Sequence, residues 1–237
     1  MPSFVDAERA RAWTEHPSAN LRHVAAQQWS GNANRWIVMA AGTSQSGRGL
    51  DIRLALLEVT GPNTSQPLVS RLARSTEPLE FAAQFSLLPE DFWHGGCDVL
   101  SPNDACDLGF DVDDSDRITL DFAHYDLAPG DRAFGVNLAK FEGYAGGGGT
   151  YFALTLLRAE GERLVQILTV PVGVHKNLAG DFNTDGSRER NEFATELLLR
   201  MLPSANAKAN IALAPRGGTA RLFEWDANLG AYRCHDR

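Results

Sequence analysis

The apolar residues after position 20 fall in short runs, and this spacing constrains the fold more than any other feature of the chain. The runs are rich in Val, Ile, Leu, Phe and Tyr, and Gly, Pro, Asn and Asp separate them. Short apolar runs bounded by turn-forming residues are typical of β-strands, whereas helices need longer periodic segments. The sequence therefore predicts an all-β protein with mainly antiparallel strands.

Three segments stand apart from this pattern. SFVDAERARAWTEHP predicts one short N-terminal helix, with Ser3 as a candidate N-cap and Asp6 three residues later. A further helical turn is expected to start at Pro89, since proline suits the first helical position. NEFATELLLRMLP has apolar residues at both helical and alternating spacing. Because strands surround this last segment, we interpret it as a strand.

Two parts of the chain share one layout. The first holds the candidate strands LRHVAAQQW, RWIVMAAGT, LDIRLALLEV and PLVSRLARS, and the second holds RITLDFAHYDL, RAFGVNLAKFEG, TYFALTLLRA and RLVQILTVPV. Each set predicts a four-stranded antiparallel meander, which must bury its apolar face against another layer. We expect the meanders to pack as propeller-like blades or as a sandwich. Residues 1–117 and 118–237 form the two regions, either as separate units or as one continuous domain.

The composition excludes several classes of protein. The chain has 237 residues with 43% hydrophobic content, which is enough to bury a core. No apolar run reaches the roughly 18 residues that a membrane-spanning helix needs. An excess of 30 Asp+Glu over 22 Lys+Arg gives a net charge of -8, which repels nucleic-acid phosphates. We therefore expect a soluble globular protein with neither a membrane span nor a nucleic-acid partner.

Three cysteines bear on the compartment. Cys97 and Cys106 flank a short loop containing PND, which can fold back and bring the two Cβ atoms within bridging distance. We expect a disulfide between them and a free Cys234, with two unrelated thiols as the alternative. A disulfide indicates an oxidising compartment, so the chain is expected to be periplasmic or exported. It does not begin with a signal-peptide pattern, so a cytoplasmic location is the other alternative.

The stretch DFNTDGSRERNE, residues 181–192, has the spacing of a calcium loop. The pattern D-x-N-x-D-G-x5-E supplies side-chain oxygens early in the loop and a bidentate carboxylate at its end. The predicted calcium ligands are Asp181, Asn183, Asp185, the backbone carbonyl of Ser187, and Glu192. The preceding residues have the pattern of a strand, so the loop resembles calcium loops that lie between strands, outside EF-hand pairs. The alternative is an Asx-turn with solvated charges.

Motifs that indicate catalysis are weak. GTSQSGRG does not match a nucleophile elbow, and the glycine run in YAGGGGTY is followed by a strand pattern, without a helix to bind phosphate. The six histidines have no metal-ligand spacing. The acidic run DVDDSD, residues 111–116, is interpreted as a solvated loop because it lacks the glycine and the distal Glu of a calcium loop, with a second ion site as the alternative. We therefore expect no catalytic site.

One long segment resembles a known class of proteins. AFGVNLAKFEGYAGGGGTYFALTLLRAEGERLVQILTVPV, followed by AGDFNTDGSRERNE, is similar to exported bacterial β-rich proteins with a tyrosine and glycine-run hairpin and a D-x-N-x-D-G loop. That class includes immunity proteins of antibacterial secretion systems, which resemble periplasmic lysozyme inhibitors. The resemblance covers roughly residues 118–236. It implies an immunity protein that binds and neutralises a peptidoglycan-degrading, lysozyme-like effector.

The same resemblance implies a partner-binding hairpin tip. The inhibitors' S-G-x-x-Y loop falls on residues 147–151, with glycine in place of the serine. A glycine-rich tip can enter a narrow cleft, with Tyr144 or Tyr151 as an aromatic anchor. An acidic inhibitor also associates faster with a cationic hydrolase. The expected contact residues are Tyr144, Gly146, Gly147, Gly148, Gly149, Thr150 and Tyr151.

Two other classes of function remain open at this point. A secreted hydrolase on a β-propeller would show a pocket with converging carboxylates or histidines. A structural or adhesive module braced by calcium would show neither such a pocket nor a protruding loop. An inhibitor would show the protruding loop.

Overall fold

The computed structural model describes residues 1–30, 32–46, 49–61, 67–81, 112–113, 116–144, 147–205 and 208–235, and the backbone alone at 85–86 and 105–106. Within these residues there are one helix, α1 (Ala7–Thr14), and fourteen strands. The strands are β1 (Leu21–Gln28), β2 (Arg35–Thr43), β3 (Leu50–Thr60), β4 (Leu68–Ser75), β5 (Phe85–Ser86), β6 (Ala105–Cys106), β7 (Arg117–Ala128), β8 (Asp131–Tyr144), β9 (Gly147–Glu160), β10 (Arg163–Phe182), β11 (Arg188–Leu202), β12 (Asn210–Pro215), β13 (Arg221–Asp226) and β14 (Ala231–His235). The predicted all-β class with a short N-terminal helix is confirmed.

Both predicted meanders are present. β1 to β4 pair in chain order, and so do β7 to β10, with antiparallel neighbours throughout each set. The ambiguous segment after Asn191 lies in β11, where Leu197, Leu199 and Met201 point toward the core. The helical turn expected at Pro89 lies outside the described residues. In the described chain, no helix is long and apolar enough to cross a membrane.

The meanders are joined into one hydrogen-bonded sheet and share one core. β10 pairs with β9 and β11, and its first residues, Arg163–Leu164, pair in parallel with Arg74–Ser75 of β4. The ring of Trp29, which follows β1, lies 5.4 Å from the ring of Phe134 in β8. The same core cluster also takes side chains from β11 to β14. The meanders thus pack as connected layers and not as separate blades, and both 1–117 and 118–237 contribute to the core.

Helix α1 covers the outer face of the first meander. Phe4 packs edge-on against Trp36 of β2, with ring centroids 5.2 Å apart. The N-cap is Asp6, whose carboxylate accepts the Arg9 N–H at 2.8 Å. The expectation that Ser3 caps the helix is therefore wrong. The Asp6 backbone is extended and its carboxylate is well placed for the capping bond, so the helix begins after it.

A buried histidine fixes the segment that follows α1. His16 Nε2 lies 2.8 Å from the Asp51 carbonyl oxygen, and Nδ1 accepts the Ser18 N–H at 3.0 Å. These contacts define the neutral tautomer with a proton on Nε2. The ring rests against Gly42 of β2, where a Cβ would lie 2.9 Å from the ring. This histidine therefore has a structural role.

The third cysteine of the chain takes part in a disulfide bond. Cys234, in β14, is disulfide-bonded, so the expectation that it is free is wrong. The chain has only two other cysteines, and the side chains of Cys97 and Cys106 lie outside the described residues. A bridge to Cys234 and a bridge between Cys97 and Cys106 exclude each other within one chain. Short sequence spacing favoured the local pair, but three-dimensional proximity decides pairing.

Candidate functional site

Strands β10 and β11 continue past the rest of the sheet as a two-stranded arm, residues 179–190. β9 begins at Gly147, opposite Leu178 of β10, so beyond this point β10 pairs only with β11 among the described strands. Residues 181–192 are all exposed. A two-stranded ribbon without a buried face is marginally stable by itself. The arm is therefore suited to contact with another molecule.

The end of the arm has an exposed aromatic ring. Phe182 is 72% exposed, and the Arg188 guanidinium lies over its ring at 4.9 Å. Arg188 Nε also donates to the Gly180 carbonyl at 2.8 Å. The cation–π contact and this hydrogen bond together hold the ring in place on the arm. The sequence pattern gave no indication of this role for Phe182.

The predicted calcium loop is the turn at the end of the arm. Asp185 Oδ1 accepts the Ser187 N–H at 2.8 Å and the Ser187 hydroxyl at 2.6 Å, and these hydrogen bonds hold the pKa of that carboxyl below its ordinary value. The Asn183 N–H donates to the Ser187 carbonyl at 2.8 Å, and Gly186 has a φ of 83°. Bonds of this kind form an Asx-turn, in which Gly186 supplies the left-handed backbone conformation.

The five predicted ligands do not converge in this conformation. Asp181, Asn183, Asp185 and Ser187 lie at the turn, but Glu192 lies within β11, opposite Asn177. Glu192 lies four positions along β11 from Arg188, which is about 13 Å, whereas calcium ligands lie about 2.3–2.6 Å from the ion. Among the described residues, no three His, Cys, Asp or Glu side chains form a group suited to a metal. Binding of one ion by all five residues at once would require the arm to rearrange, and calcium binding stays a prediction.

We expect calcium, if the loop binds it, to raise the melting midpoint relative to chelator, because an ion that binds only the folded state stabilises that state. Asp185→Asn is the informative variant, since it removes a negative charge and retains the Oδ1 acceptor of the turn. Thermal melts of both proteins in millimolar calcium and in chelator make the comparison. Overlapping curves for the unaltered chain would refute the calcium prediction.

The predicted glycine tip lies mostly within the sheet. Residues 147–151 belong to β9 and pair with β8 on one side and with β10 on the other. Tyr151 is buried at 3% exposure, with the Lys176 ammonium 5.4 Å from its ring centroid. Tyr151 faces the core side of the sheet, so the expectation that it is an exposed anchor is wrong. Gly146 and the side chain of Tyr144 lie outside the described residues.

A groove of about 590 Å³ separates the glycine segment from the arm. Gly147, Gly148, Gly149 and Thr150 line one side of the groove, and Arg190 lines the other. Phe141 of β8, 59% exposed, lies over Gly148, where a Cβ would come within 3.0 Å of the ring. Gly148 therefore makes room for the exposed ring of Phe141. The exposed aromatic residue of this surface is therefore Phe141 and not Tyr151.

A second groove, of about 770 Å³, lies between β7 and β11. Asp121 Oδ2 accepts the Tyr125 hydroxyl at 2.9 Å and Asn137 Nδ2 at 3.2 Å, and Oδ1 accepts the Ala123 N–H at 2.8 Å. Burial and the neighbouring Asp121 carboxylate raise the pKa of Tyr125. Asp121 thus holds together the irregular pairing between β7 and β8 at this point.

The acidic run before β7 ends in a buried ion pair. Lys140 Nζ lies 3.4 Å from Asp116 Oδ2 and 3.6 Å from Glu142 Oε1. The Asp116 side chain is fully buried, and its burial raises the pKa of the carboxyl above the ordinary value. The interpretation of residues 111–116 as a solvated loop is therefore wrong at Asp116, because Lys140 compensates its charge in the core.

No protein-family model, curated protein or solved structure matches the chain. The fold and the two grooves are therefore interpreted from their own geometry.

Proposed function

We propose that this chain is an immunity protein that binds and neutralises a peptidoglycan-degrading, lysozyme-like effector, with the end of the arm as its main contact. The observation that carries the proposal is the exposed Phe182 ring, placed by Arg188 on an arm that lacks a core. Aromatic residues dominate binding energy when they enter a partner's pocket. The resemblance of residues 118–236 to secretion-system immunity proteins points to the class of partner.

Charge supports a cationic partner. The chain carries a net charge of -8, and long-range attraction to a basic hydrolase raises the association rate more than the affinity. We therefore propose faster association at low salt than at high salt, because salt screens exposed charges. The periplasm, where peptidoglycan hydrolases act, is the proposed compartment.

The groove beside the arm gives the partner a second contact. Phe141 and the glycine segment form its floor, and a backbone without side chains allows close approach of another surface. In this arrangement Gly147 to Thr150 remain partner contacts, while Tyr151 supports them from the core side. The calcium ion, if bound, would stiffen the end of the arm. Its role is then structural.

Replacing Phe182 by alanine is expected to weaken inhibition of the effector by about tenfold or more, as for other aromatic anchors. The partner is obtained by co-purification with the product of the neighbouring gene. Cell-wall lysis by that hydrolase is then titrated with each variant. Leu229→Ala is the matched control, because Leu229 is 62% exposed in the turn between β13 and β14. It should inhibit like the unaltered chain.

Two outcomes would reject this proposal. Equal inhibition by Phe182→Ala and Leu229→Ala would remove the arm from the interface. Failure to bind the hydrolase, together with measurable turnover of a substrate by the isolated chain, would favour the hydrolase alternative. The comparison of the two variants does not depend on overall stability, because Phe182 and Leu229 are both exposed and surface substitutions usually change stability little.

A further inference from the structure

The β11 edge, residues 188–196, has no strand partner on the side away from β10 among the described strands. β12 pairs with β11 only from Leu197 onward, and β10 pairs with residues 188–196 on the other side. An open strand edge presents unpaired N–H and C=O groups to any chain that can align with it. This edge belongs to the least supported part of the sheet, where residues 181–192 are exposed.

Among the described residues, the charges at positions 189, 190 and 192 of this edge have no ionic partner, whereas Arg188 contacts Gly180 and Phe182. The side chains of Glu189 and Arg190 make no hydrogen bond or ion pair with other described residues. Within the described part of the chain, the one hydrogen bond of Glu192 comes from the neutral Asn177 amide, at 3.5 Å. An edge that only resists association usually carries charges that repel a second edge. Here, opposite charges flank a central amide in the order Arg190, Asn191, Glu192.

We propose that the β11 edge pairs with the same edge of a second copy of this chain, antiparallel and with the two-fold axis at Asn191. In that register Arg190 of each copy lies opposite Glu192 of the other, and the two Asn191 residues face each other. Opposite charges directly across an antiparallel pair stabilise it, and like charges destabilise it. The pairing would convert two ribbons into a four-stranded sheet, which is more stable than a ribbon.

The charge order selects this register against its neighbours. An axis at Arg190 places two arginines opposite each other, and an axis at Glu192 places two glutamates opposite each other. Either shift slides one strand by two residues and keeps every side chain on its face, so the charge order alone distinguishes these registers. The axis at Asn191 therefore gives the symmetric, self-complementary contact that a two-fold dimer requires. The arm and the edge share residues 188–190, but the inference does not rest on the proposed function, because it uses the backbone edge of β11 and not Phe182.

Cysteine cross-linking tests the register directly. In the proposed dimer the two Asn191 Cα atoms lie about 4.5–5.5 Å apart, which is within disulfide range. Asn191→Cys should therefore form a covalent dimer on mild oxidation. Glu189→Cys is the matched control, since its two copies would be about 13 Å apart. The unaltered chain measures any cross-linking through the native cysteines.

Charge reversal tests the complementarity. The unaltered chain should sediment at twice its monomer mass of 25.8 kDa at high concentration, and Arg190→Glu should remove this dimer. Combining Arg190→Glu with Glu192→Arg should restore it, because the cross-strand pairs are then reversed and not broken. A monomer at every concentration overturns the proposal. So does cross-linking of Asn191→Cys no greater than that of Glu189→Cys, whatever the effect of Phe182→Ala on inhibition.

Discussion

Replacing Phe134 by alanine is expected to lower the free energy of unfolding by about 3–5 kcal/mol, which is typical of a buried phenylalanine. Phe134 is fully buried, with its ring centroid 5.4 Å from Trp29 and 6.2 Å from Phe122. The side chain thus joins the first meander to the second. At about 2–4 °C per kcal/mol for a chain of this size, the midpoint should fall by roughly 10 °C.

The shape of that unfolding transition is as informative as its midpoint. A core shared by both meanders predicts one cooperative unfolding transition, which Phe134→Ala shifts as a whole. Urea unfolding monitored by fluorescence and by circular dichroism measures this transition. Two separated transitions would show that the halves unfold independently. Phe141→Ala is the control on the same strand, because its exposed ring faces away from the core. This control should lower the free energy of unfolding by no more than about 1 kcal/mol.

Replacing Lys140 by methionine is expected to destabilise the protein by about 3–5 kcal/mol, because it leaves the buried Asp116 carboxylate without its cation. Among the described residues, Asp116 Oδ1 has no hydrogen-bond partner, and Oδ2 keeps only the Asp113 N–H besides Lys140. The double variant Lys140→Met with Asp116→Asn should recover much of the loss. Asparagine retains an acceptor for the Asp113 N–H, which bonds Asp116 Oδ2 at 2.9 Å, and carries no charge.

The same pair predicts a dependence on pH. Burial raises the pKa of Asp116 in the folded protein, although Lys140 partly opposes that rise. A carboxyl with a raised folded pKa binds its proton more tightly in the folded state, so its contribution to stability falls as pH rises through that pKa. Lys140→Met raises the pKa further. The loss of unfolding free energy caused by Lys140→Met should therefore be smaller near about pH 4 than near about pH 8. An equal loss at both pH values would contradict the account.

The sequence predicted strands well because their period was clear. Both meanders and β12 to β14 follow from short apolar runs between turn residues, and β11 was resolved by its context. The register within β8 was harder to read. Lys140 is buried and the neighbouring Phe141 is exposed, an order that the apolar pattern alone does not predict. Since strand faces alternate, the position of one buried ion pair decides which residue enters the core.

The candidate site could be predicted only in part. The spacing of residues 181–192 correctly marked a special turn, because Asp185 and Gly186 are required there. It could not show that Glu192 lies in a strand, since the twelve-residue calcium pattern fixes sequence distance and not conformation. Phe182 is the second residue of the predicted calcium loop, so nothing in the pattern placed it at the end of a strand. Its exposure follows from the length of β10 beyond β9, which depends on tertiary pairing.

Hydrogen exchange of the chain, free and in complex with the proposed peptidoglycan hydrolase partner, tests the central claim most directly. Slowed exchange reports amides that become covered or more stably paired in the complex. The account predicts new protection in the arm, residues 179–190, and in the glycine segment 147–150, with the turn between β13 and β14 unchanged. Protection confined to other surfaces, with the arm exchanging as fast as in the free chain, would contradict it.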